Sequence, residues 1–273
     1  MVLLVTYSYI TCKNAILRSN LPGLDYSLNP YFGCEHGCVY CYSPSVFRDI
    51  KIAKNWGKFV KAKINIAEIL SNQLEKLPKG VVGLSTVTDP YQPLEAKLQL
   101  TRKCIELLLN HKFPVSIQTK STLVLRDKDL IKLGRTDVGF TITTLKDDLA
   151  RKLQPRAPLP SSLAQVIEEF SNEGINTWIF LGPIIPGIND DDESLLQIID
   201  LAKKTKSEIV YDKLNLRTWV LDSMISFLKK ERPELKDRLS SLVGSYSDYW
   251  YKLKVRLEDA CLKRDVICRA AFA

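Results

Sequence analysis

The chain has 273 residues, of which 45% are hydrophobic and 26% are charged, and its formal net charge is +8. This composition predicts a globular protein with a substantial core, and an α/β chain of this length is often one domain. Its seven cysteines are an odd number without framework spacing, which argues against a secreted, disulfide-bonded protein. We therefore predict a cytoplasmic protein with reduced thiols.

The first five residues are apolar, but no basic region precedes them and polar residues follow at once. This pattern predicts a buried strand rather than a signal peptide or a membrane span. We assign residues 1–24 to an N-terminal segment and predict no membrane partner.

The next segment, residues 29–42, is an aromatic loop that contains Cys34, Cys38 and Cys41. Three cysteines at this spacing indicate a metal site. Iron-sulfur clusters usually have four cysteine ligands, and closed zinc sites have four Cys or His ligands. A set of three therefore predicts a coordination position that is open to a substrate.

Two other functions of this loop explain the residues less well. A structural zinc site would need a fourth ligand such as His36, and no second Cys/His pair of the usual spacing follows downstream. A redox pair of Cys38 and Cys41 would leave Cys34 unexplained. The pattern favours the open cluster site over both.

A basic segment follows the loop directly. Residues 48–63 contain six basic side chains and one acidic one, and the aromatic residues Phe47, Trp56 and Phe59 lie among them. Basic side chains neutralise phosphates and aromatic rings stack on bases, so the segment is a candidate surface for nucleic acid. The alternative is a solvated basic face whose aromatic rings turn into the core.

From the loop onward, strands and amphipathic helices alternate. Strands are predicted to end near Tyr31 and to cover 81–87, 115–119, 138–144, 175–181 and 207–214, with helices at 64–77, 94–110, 128–133, 161–172 and 191–204. About six βα units predict a parallel sheet with outer helices, in which functional residues lie at the carboxyl ends of the strands. After Leu214 the pattern changes to helices at 218–231, 233–242 and 246–263.

Several motifs fall at those strand ends. Besides the loop from Asn29 to Tyr42, they are the stretches 88–95, 113–121, 141–145 and 183–190. Together they resemble the radical S-adenosylmethionine (SAM) superfamily, in the branch related to spore photoproduct lyase, also labelled DNA repair photolyase-like. The resemblance covers residues 25–215 and implies a partial (β/α)6 barrel. The helical pattern after it predicts a helical extension over 216–273 packed on the barrel.

The resemblance implies the chemistry. Cys34, Cys38 and Cys41 would each bind one iron of a 4Fe-4S cluster, and the fourth iron would bind the amino and carboxylate groups of SAM. Reduction would then split SAM to methionine and a 5'-deoxyadenosyl radical, which abstracts hydrogen from a substrate. An external electron donor of the ferredoxin or flavodoxin type is expected.

Five residues are predicted to bind SAM. The resemblance places Tyr40 near the adenine and Lys120 near the carboxylate, and Asp89 stands where many family members hold the methionyl amino group with a Gly-Gly-Glu type motif that this chain lacks. Asp89 is also a turn-forming residue before proline. Thr141 and Thr143 are expected on one strand face, where either hydroxyl could reach the cofactor.

Other polar and sulfur-containing residues have simpler roles. His36 belongs to the family pattern and is expected to shape the loop, whereas His111 is expected to cap a helix or lie on the surface. No motif marks a hydrogen-donor cysteine among Cys12, Cys104, Cys261 and Cys268.

The substrate and the oligomeric state do not follow from the sequence. A nucleic acid or nucleotide is the first hypothesis, and a peptide or small metabolite under the same chemistry is the second. A non-catalytic metal-binding or electron-transfer protein is the alternative from another class.

Overall fold

The protein is described by a computed structural model over residues 4–236, 239 and 248–271. The strands are β1 (Thr6–Ile10), β2 (Ile16–Arg18), β3 (Tyr26–Leu28), β4 (Tyr31–Phe32), β5 (Phe59–Lys63), β6 (Val82–Leu84), β7 (Val115–Thr119), β8 (Thr136–Thr141), β9 (Asn176–Ile184), β10 (Glu208–Lys213) and β11 (Cys268–Ala270).

The helices lie between these strands from β4 onward. They are α1 (Ser43–Phe47), α2 (Ile50–Lys54), α3 (Ile66–Leu74), α4 (Glu95–Leu98), α5 (Leu100–Asn110), α6 (Lys128–Leu133), α7 (Asp147–Leu153), α8 (Pro160–Asn172), α9 (Asp192–Thr205), α10 (Thr218–Glu231) and α11 (Asp248–Leu262), with short 3-10 helices at Thr122–Asp127 and Pro233–Leu235.

Within the described residues, eight strands form the main sheet in the order β11-β10-β9-β8-β7-β6-β3-β2. All neighbouring strands are parallel except β2 and β3. The six central strands from β3 to β10 are the predicted βα units, and the α/β class is confirmed. The predicted boundaries at residues 24/25 and 215/216 stay predictions.

The two faces of the sheet differ in burial because side chains alternate along each strand. In β7, Val115 and Ile117 are buried in the main core, whereas Ser116 and Gln118 on the opposite face are half-buried. The core also contains apolar side chains of the outer helices, such as Leu108 of α5 and Ile167 of α8. The helices therefore cover one face and leave the inner face of the partial barrel partly open.

Three hydrogen-bonded side chains, those of Ser116, Asp137 and Trp178, span the inner face near the amino ends of the strands. Asp137 accepts hydrogen bonds from Ser116 Oγ at 2.8 Å and from Trp178 Nε1 at 2.7 Å. The indole lies directly across Gly139, where an added Cβ would come within 2.2 Å of the ring. This group forms a floor below the carboxyl ends of the strands.

Three predicted elements differ from the structure. The helix expected over 94–110 divides into α4 and α5 because Gln99 has a left-handed backbone with φ of +51°. The C-terminal extension is not purely helical, because β11 pairs with β10 at the edge of the sheet. The helix expected over 233–242 begins as a 3-10 helix, and its remainder lies largely outside the described residues.

The N-terminal region also differs from the prediction. Leu4 is 87% exposed, and β1 is an exposed strand that pairs with β5 in a separate sheet of order β1-β5-β4. The expected buried strand at residues 1–5 is therefore wrong for Leu4, while residues 1–3 lie outside the described part. The strand β1 starts where the polar residues begin.

The helices were predicted to include no membrane span. Over the residues that the structure describes, no helix combines the length and the apolar character that crossing a bilayer requires.

Candidate functional site

The cysteine loop begins at the end of β4, on the rim formed by the carboxyl ends of the parallel strands. Gly33 opens it with a left-handed backbone at φ +89°, and a Cβ there would come within 2.5 Å of the Phe59 carbonyl oxygen. Only glycine fits both the conformation and the close approach. The turn directs the cysteines away from the small sheet.

The stretch 88–95, which follows β6, holds this loop in place. The Thr88 hydroxyl donates to the Gly33 carbonyl at 2.5 Å, and the Gln92 side-chain oxygen accepts from Glu35 N at 3.0 Å. Gln92 is fully buried. Its side-chain oxygen contacts the loop, and its side-chain nitrogen donates to the Thr88 hydroxyl. The motif after the second barrel strand therefore acts as a clamp on the cysteine loop.

Two further charged residues fix the loop. The buried Glu35 carboxylate accepts from Leu94 N at 2.8 Å and from the Tyr7 hydroxyl at 2.8 Å. Arg156 donates through Nε to the Glu35 carbonyl at 2.7 Å and through its terminal nitrogen to the Gly57 carbonyl. These contacts connect the loop to the N-terminal sheet and to the segment after α2.

The three thiols of the loop lie close enough to influence one another. Burial raises the pKa of Cys34 well above its usual range, and negative charge on Asp89, Cys38 and Cys41 raises it further. Burial likewise raises the pKa of Cys38 to about 12, although the Lys120 ammonium opposes this effect. The loop thus gathers one buried and two half-buried cysteines beside one cation.

Asp89 connects the clamp to the third barrel strand. Its carboxylate accepts hydrogen bonds from Thr119 Oγ1 at 2.7 Å and from Lys120 N at 2.8 Å, and Tyr91 N donates to it at 2.9 Å. The structure is compatible with both predicted roles of Asp89. It forms the turn before proline, and it lies beside the thiols, where a SAM ligand is expected. Its contact with SAM stays a prediction.

His36 lies between the cysteines and faces Asp89. The ring is 1% exposed, its Nδ1 is 3.5 Å from Asp89 Oδ2, and neither ring nitrogen has a hydrogen-bond partner among the described residues. Burial lowers the pKa of His36, while the Asp89 charge opposes that shift. The neutral ring fills the space under the loop, which agrees with its expected role in shaping it.

Lys120 extends from the end of β7 towards the cysteine loop. Its ammonium lies 5.5 Å from the centre of the Tyr40 ring, and burial lowers its pKa while the charges of Cys38 and Asp89 oppose the shift. Among the described ion pairs it has no close carboxylate partner. A half-buried cation of this kind suits an anionic ligand.

Tyr40 is buried, and its hydroxyl is held by two side chains. It lies 2.8 Å from Thr143 Oγ1 and donates to Gln154 Oε1 at 2.7 Å. The Thr143 hydroxyl also donates to the Gly182 carbonyl at 3.1 Å. The ring edge of Tyr40 is thereby fixed between the cysteine loop and the fourth and fifth barrel strands.

The two threonines do not share a strand face as expected. The strand β8 ends at Thr141, whose hydroxyl accepts from Gln118 Nε2 of β7 at 3.1 Å, whereas Thr143 lies beyond the strand and contacts Tyr40. The reason is that β8 ends at Thr141, three residues before the predicted end of this strand at residue 144. Their roles towards a cofactor stay predictions.

The stretch 183–190 supports this arrangement through Asn189, which is fully buried. Its amide donates to the Thr143 carbonyl at 2.6 Å and to the Pro183 carbonyl at 3.1 Å, and its oxygen accepts from Ile185 N at 2.6 Å. Asn189 and Gln92 lie inside motifs that the sequence marks, although their roles were not predicted. Nothing in the sequence marked Arg156.

The basic segment divides into an exposed face and a packed face. The basic residues Arg48, Lys51, Lys54, Lys58 and Lys61 are exposed. The rings pack on one another instead, with Trp56 6.3 Å from both Phe47 and Phe59, and Phe32 4.5 Å from Phe47. The aromatic residues therefore follow the packing alternative rather than presenting free rings for base stacking.

The cysteine loop differs from a site for a single metal ion. In the described part of the chain, no three Cys, His, Asp or Glu side chains converge as the ligands of one ion would. The ligands of a cluster bind separate irons, so they need not converge on one point.

Comparison with known proteins agrees with the geometry. The family model described as "Radical SAM superfamily" matches residues 28–199. An uncharacterised protein of Methanocaldococcus jannaschii is 32% identical over 209 residues, which are 76% of this chain and 77% of that protein. A radical SAM Nalpha-GlyT isomerase of Pseudomonas phage M6 is 28% identical over 167 residues, 60% of this chain and 34% of that protein.

Solved structures show the same fold. A mutant of spore photoproduct lyase with bound AdoMet and dinucleoside spore photoproduct superposes with a TM-score of 0.74 at 12% identity, covering 98% of this chain and 82% of that one. The predicted partial barrel is thereby confirmed. The chain belongs to the radical SAM superfamily, whose enzymes use a 4Fe-4S cluster and S-adenosylmethionine and need an external reductant.

Proposed function

We propose that this protein is a radical SAM enzyme that removes a hydrogen atom from a nucleotide unit, within a nucleic acid or as a smaller molecule. Cys34, Cys38 and Cys41 are the cluster ligands in this proposal. The observation that carries it is the placement of three cysteine sulfurs, one buried and two half-buried, with the Lys120 ammonium and the Asp89 carboxylate at one rim of the parallel sheet.

The donor set fits the cluster in its chemistry. Cysteine thiolates are the usual ligands of iron-sulfur clusters, and three of them leave one iron open. The loop is held by Gln92, Glu35 and Arg156 independently of any metal, so the sulfurs are ordered by the fold. Pre-organisation of this kind lowers the cost of binding.

The cluster and SAM together supply a 5'-deoxyadenosyl radical, which abstracts the hydrogen atom. The residues of this chain bind and orient. With SAM bound, Lys120 would neutralise its carboxylate and Asp89 would accept a hydrogen bond from its amino group. Tyr40 and Thr143, whose hydroxyl oxygens lie 2.8 Å apart, would contact its adenosyl group.

The inner face of the partial barrel provides room for the substrate. Above the floor made by Asp137 and Trp178, the half-buried Gln118, Phe180 and Asp212 line this face. Burial raises the pKa of Asp212, while the backbone N–H and the charge of Lys213 oppose the rise. A polar and aromatic face that adjoins the sulfurs suits a planar, hydrogen-bonding substrate such as a nucleobase.

One comparison supports a nucleotide unit. Spore photoproduct lyase, whose fold is similar, has a structure with bound dinucleoside spore photoproduct. The exposed basic residues of α2 and the segments beside it provide charge for phosphates. A peptide or a small metabolite on the same inner face is the competing substrate class, and the test below includes it.

The reductant belongs to the proposal as well. We expect a one-electron protein donor of the ferredoxin or flavodoxin type, because radical SAM enzymes need an external reductant and a 4Fe-4S cluster takes up one electron, whereas a hydride carrier delivers two.

The proposed function is tested by coupling between substrate and SAM cleavage. Reconstituted, reduced protein is incubated with SAM and UV-irradiated DNA, undamaged DNA, mononucleotides or a peptide mixture, and 5'-deoxyadenosine is measured by chromatography. Stimulation by a nucleic-acid or nucleotide sample above the substrate-free rate supports the proposal. Stimulation by the peptide mixture alone would contradict a nucleotide substrate and favour a peptide.

A further inference from the structure

Trp178 of β9 presents an aromatic ring on the inner face of the partial barrel. Ile179 and Leu181, which alternate with it along the strand, are fully buried in the core on the other face. Because side chains alternate across a sheet, Trp178 and Phe180 lie on the inner face, and both are half-buried. Part of each ring therefore stays accessible on the face that adjoins the cysteine loop.

The indole lies across Gly139, its direct partner in the register of β8 and β9. A Cβ at Gly139 would come within 2.2 Å of two ring atoms, so a larger residue would displace the ring. The backbone of Gly139 does not itself require glycine, because its φ is not positive. Glycine weakens a strand interior and often marks a close approach by another group. The ring that lies over Gly139 explains why glycine stands there.

The orientation of the indole is fixed as well. Its Nε1–H donates to Asp137 at 2.7 Å, and Asp137 accepts a second hydrogen bond from Ser116 Oγ at 2.8 Å. A ring that is held in this way loses little conformational freedom when a ligand packs on it. The binding of a flat ligand to the indole is therefore favoured by pre-organisation.

Polar side chains flank the ring along the row of paired residues that crosses the sheet. Gln118 of β7 pairs with Gly139 on one side. Glu208 of β10 pairs with Trp178 on the other. Gln118 Nε2 donates to Thr141 Oγ1 at 3.1 Å, which leaves the side-chain oxygen of Gln118 to accept from a ligand. An aromatic ring between two acceptors suits a planar heterocycle with N–H groups on its edge better than an aliphatic chain.

We infer that Trp178 contacts the substrate and that a nucleobase stacks on its indole, with the edge of the base towards Gln118 or Glu208. The inference rests on the proposed nucleotide substrate and adds the residue on which a base binds. Every base has a π-face, so stacking on an aromatic side chain accepts both purines and pyrimidines.

The test is photo-cross-linking with single-stranded oligonucleotides that contain 5-iododeoxyuridine, a base that reacts under illumination with an aromatic ring on which it stacks. Reconstituted, unreduced protein is illuminated with SAM and the probe, and the cross-linked peptide is identified by mass spectrometry. We expect the cross-link at Trp178. A cross-link confined to other residues, such as those of the basic segment, would overturn the inference.

Two substitutions separate stacking from the filling of space. Trp178→Phe keeps a ring and loses the N–H, whereas Trp178→Leu keeps an apolar side chain and loses the ring. We expect the Kd for the oligonucleotide, measured by fluorescence anisotropy, to rise roughly tenfold in Trp178→Leu and less than about threefold in Trp178→Phe. The slope of log K against log salt should not change, because no phosphate contact is lost.

The control for lost packing is Phe170→Leu, which shortens a fully buried ring of α8 on the other side of the sheet. This variant should keep the wild-type Kd. Equal Kd values for Trp178→Leu and the wild-type protein would contradict stacking. If Trp178→Leu does not fold, the cross-link in the wild-type protein decides, because it needs no substitution.

The outcomes separate the role of Trp178 from the proposed function. If nucleic-acid or nucleotide samples stimulate SAM cleavage but the cross-link lies away from Trp178, the role of Trp178 is overturned and the proposed function stands. If no such sample stimulates cleavage, the proposed function fails, and a cross-link at Trp178 still supports base binding on this ring.

Discussion

Nδ1 of His36 lies 3.5 Å from the carboxylate of Asp89, so the cysteine loop meets the turn that follows the second barrel strand. The two residues are far apart in the sequence, and both are almost completely buried. Asp89 also binds the end of β7 through Thr119 and Lys120. This junction joins three of the sequence motifs into one site.

The first prediction concerns the stability of that junction. Replacing Asp89 by Ala leaves three buried donors without their acceptor, namely those of Tyr91, Thr119 and Lys120. We expect the free energy of unfolding of the metal-free protein to fall by about 3 kcal/mol. Urea unfolding monitored by tryptophan fluorescence measures it.

The control for this variant is Asp222→Ala, which removes an exposed carboxylate from α10. We expect a change of less than about 0.5 kcal/mol there. If the two substitutions lower the free energy of unfolding equally, Asp89 does not hold the three motifs together.

The second prediction concerns the affinity for SAM. Replacing Lys120 by Met keeps much of the apolar stem and removes the charge that faces the cofactor carboxylate in the proposed site. A charge-assisted hydrogen bond contributes about 1.5–3 kcal/mol, so we expect the Kd of the reconstituted protein for SAM to rise roughly tenfold or more. Equilibrium dialysis with labelled SAM provides the measurement.

The matched substitution is Lys103→Met on the exposed side of α5, which should leave the Kd unchanged. A Kd for Lys120→Met within twofold of the wild-type value would remove Lys120 from the proposed cofactor site.

The third prediction addresses the basic surface. Lys51, Lys54 and Lys58 are exposed next to the cysteine loop, and replacing all three by Gln should weaken DNA binding and reduce its salt dependence. The slope of log K against log salt should become shallower by roughly 0.9 for each phosphate that the variant no longer neutralises. Fluorescence anisotropy at several salt concentrations measures the slope.

The comparison is a triple Gln variant at Lys76, Lys97 and Lys103, which are exposed elsewhere and give the same change in net charge. If both variants lower the slope equally, the effect is one of overall charge and the surface near the loop is not a specific DNA site.

The fourth prediction concerns pH and the inner face. Burial raises the pKa of Asp137 above its ordinary value of about 3.9, while hydrogen bonds from Ser116 and Trp178 oppose the rise. The folded protein therefore binds this proton more tightly than the unfolded chain. Its contribution to stability is fully present below the ordinary pKa and is lost as pH rises through the higher folded pKa.

Asp137→Asn should remove this contribution. We expect the stability difference between wild type and variant to change as pH rises from the ordinary Asp pKa of about 3.9 through the higher pKa of the folded protein, and to be constant above it, as measured by urea unfolding. A difference that is independent of pH over the whole range would show that Asp137 has the same pKa in both states.

Much of the fold followed from local patterns. The bounds of β7, α6 and α10 agree with those predicted, because alternation or helical spacing is strong there and turns lie at both ends. The break at Gln99 was not predictable, because this residue has no intrinsic preference for the left-handed conformation it adopts. The strand β11 is short, and its pairing with β10 depends on tertiary contact.

The candidate site was predictable as a set of motifs but not as a network. The three cysteines, Lys120 and Asp89 could be named from the sequence, because their spacing and strand-end positions carry the signal. The contacts made by Gln92 and Arg156 depend on long-range geometry that no local pattern encodes. The aromatic residues near Trp56 show the same limit, since composition alone does not distinguish stacking on bases from packing on one another.

The central claim is that this chain uses the cysteine loop to cleave SAM reductively. The most direct measurement is release of 5'-deoxyadenosine by anaerobically reconstituted, reduced protein, with Cys38→Ala as the matched variant. We expect a brown wild-type protein that contains iron and sulfide in equal amounts and forms 5'-deoxyadenosine, and a Cys38→Ala protein that forms none. A cluster-loaded wild-type protein that binds SAM but releases no 5'-deoxyadenosine with any reductant or substrate sample would show that the loop does not cleave SAM.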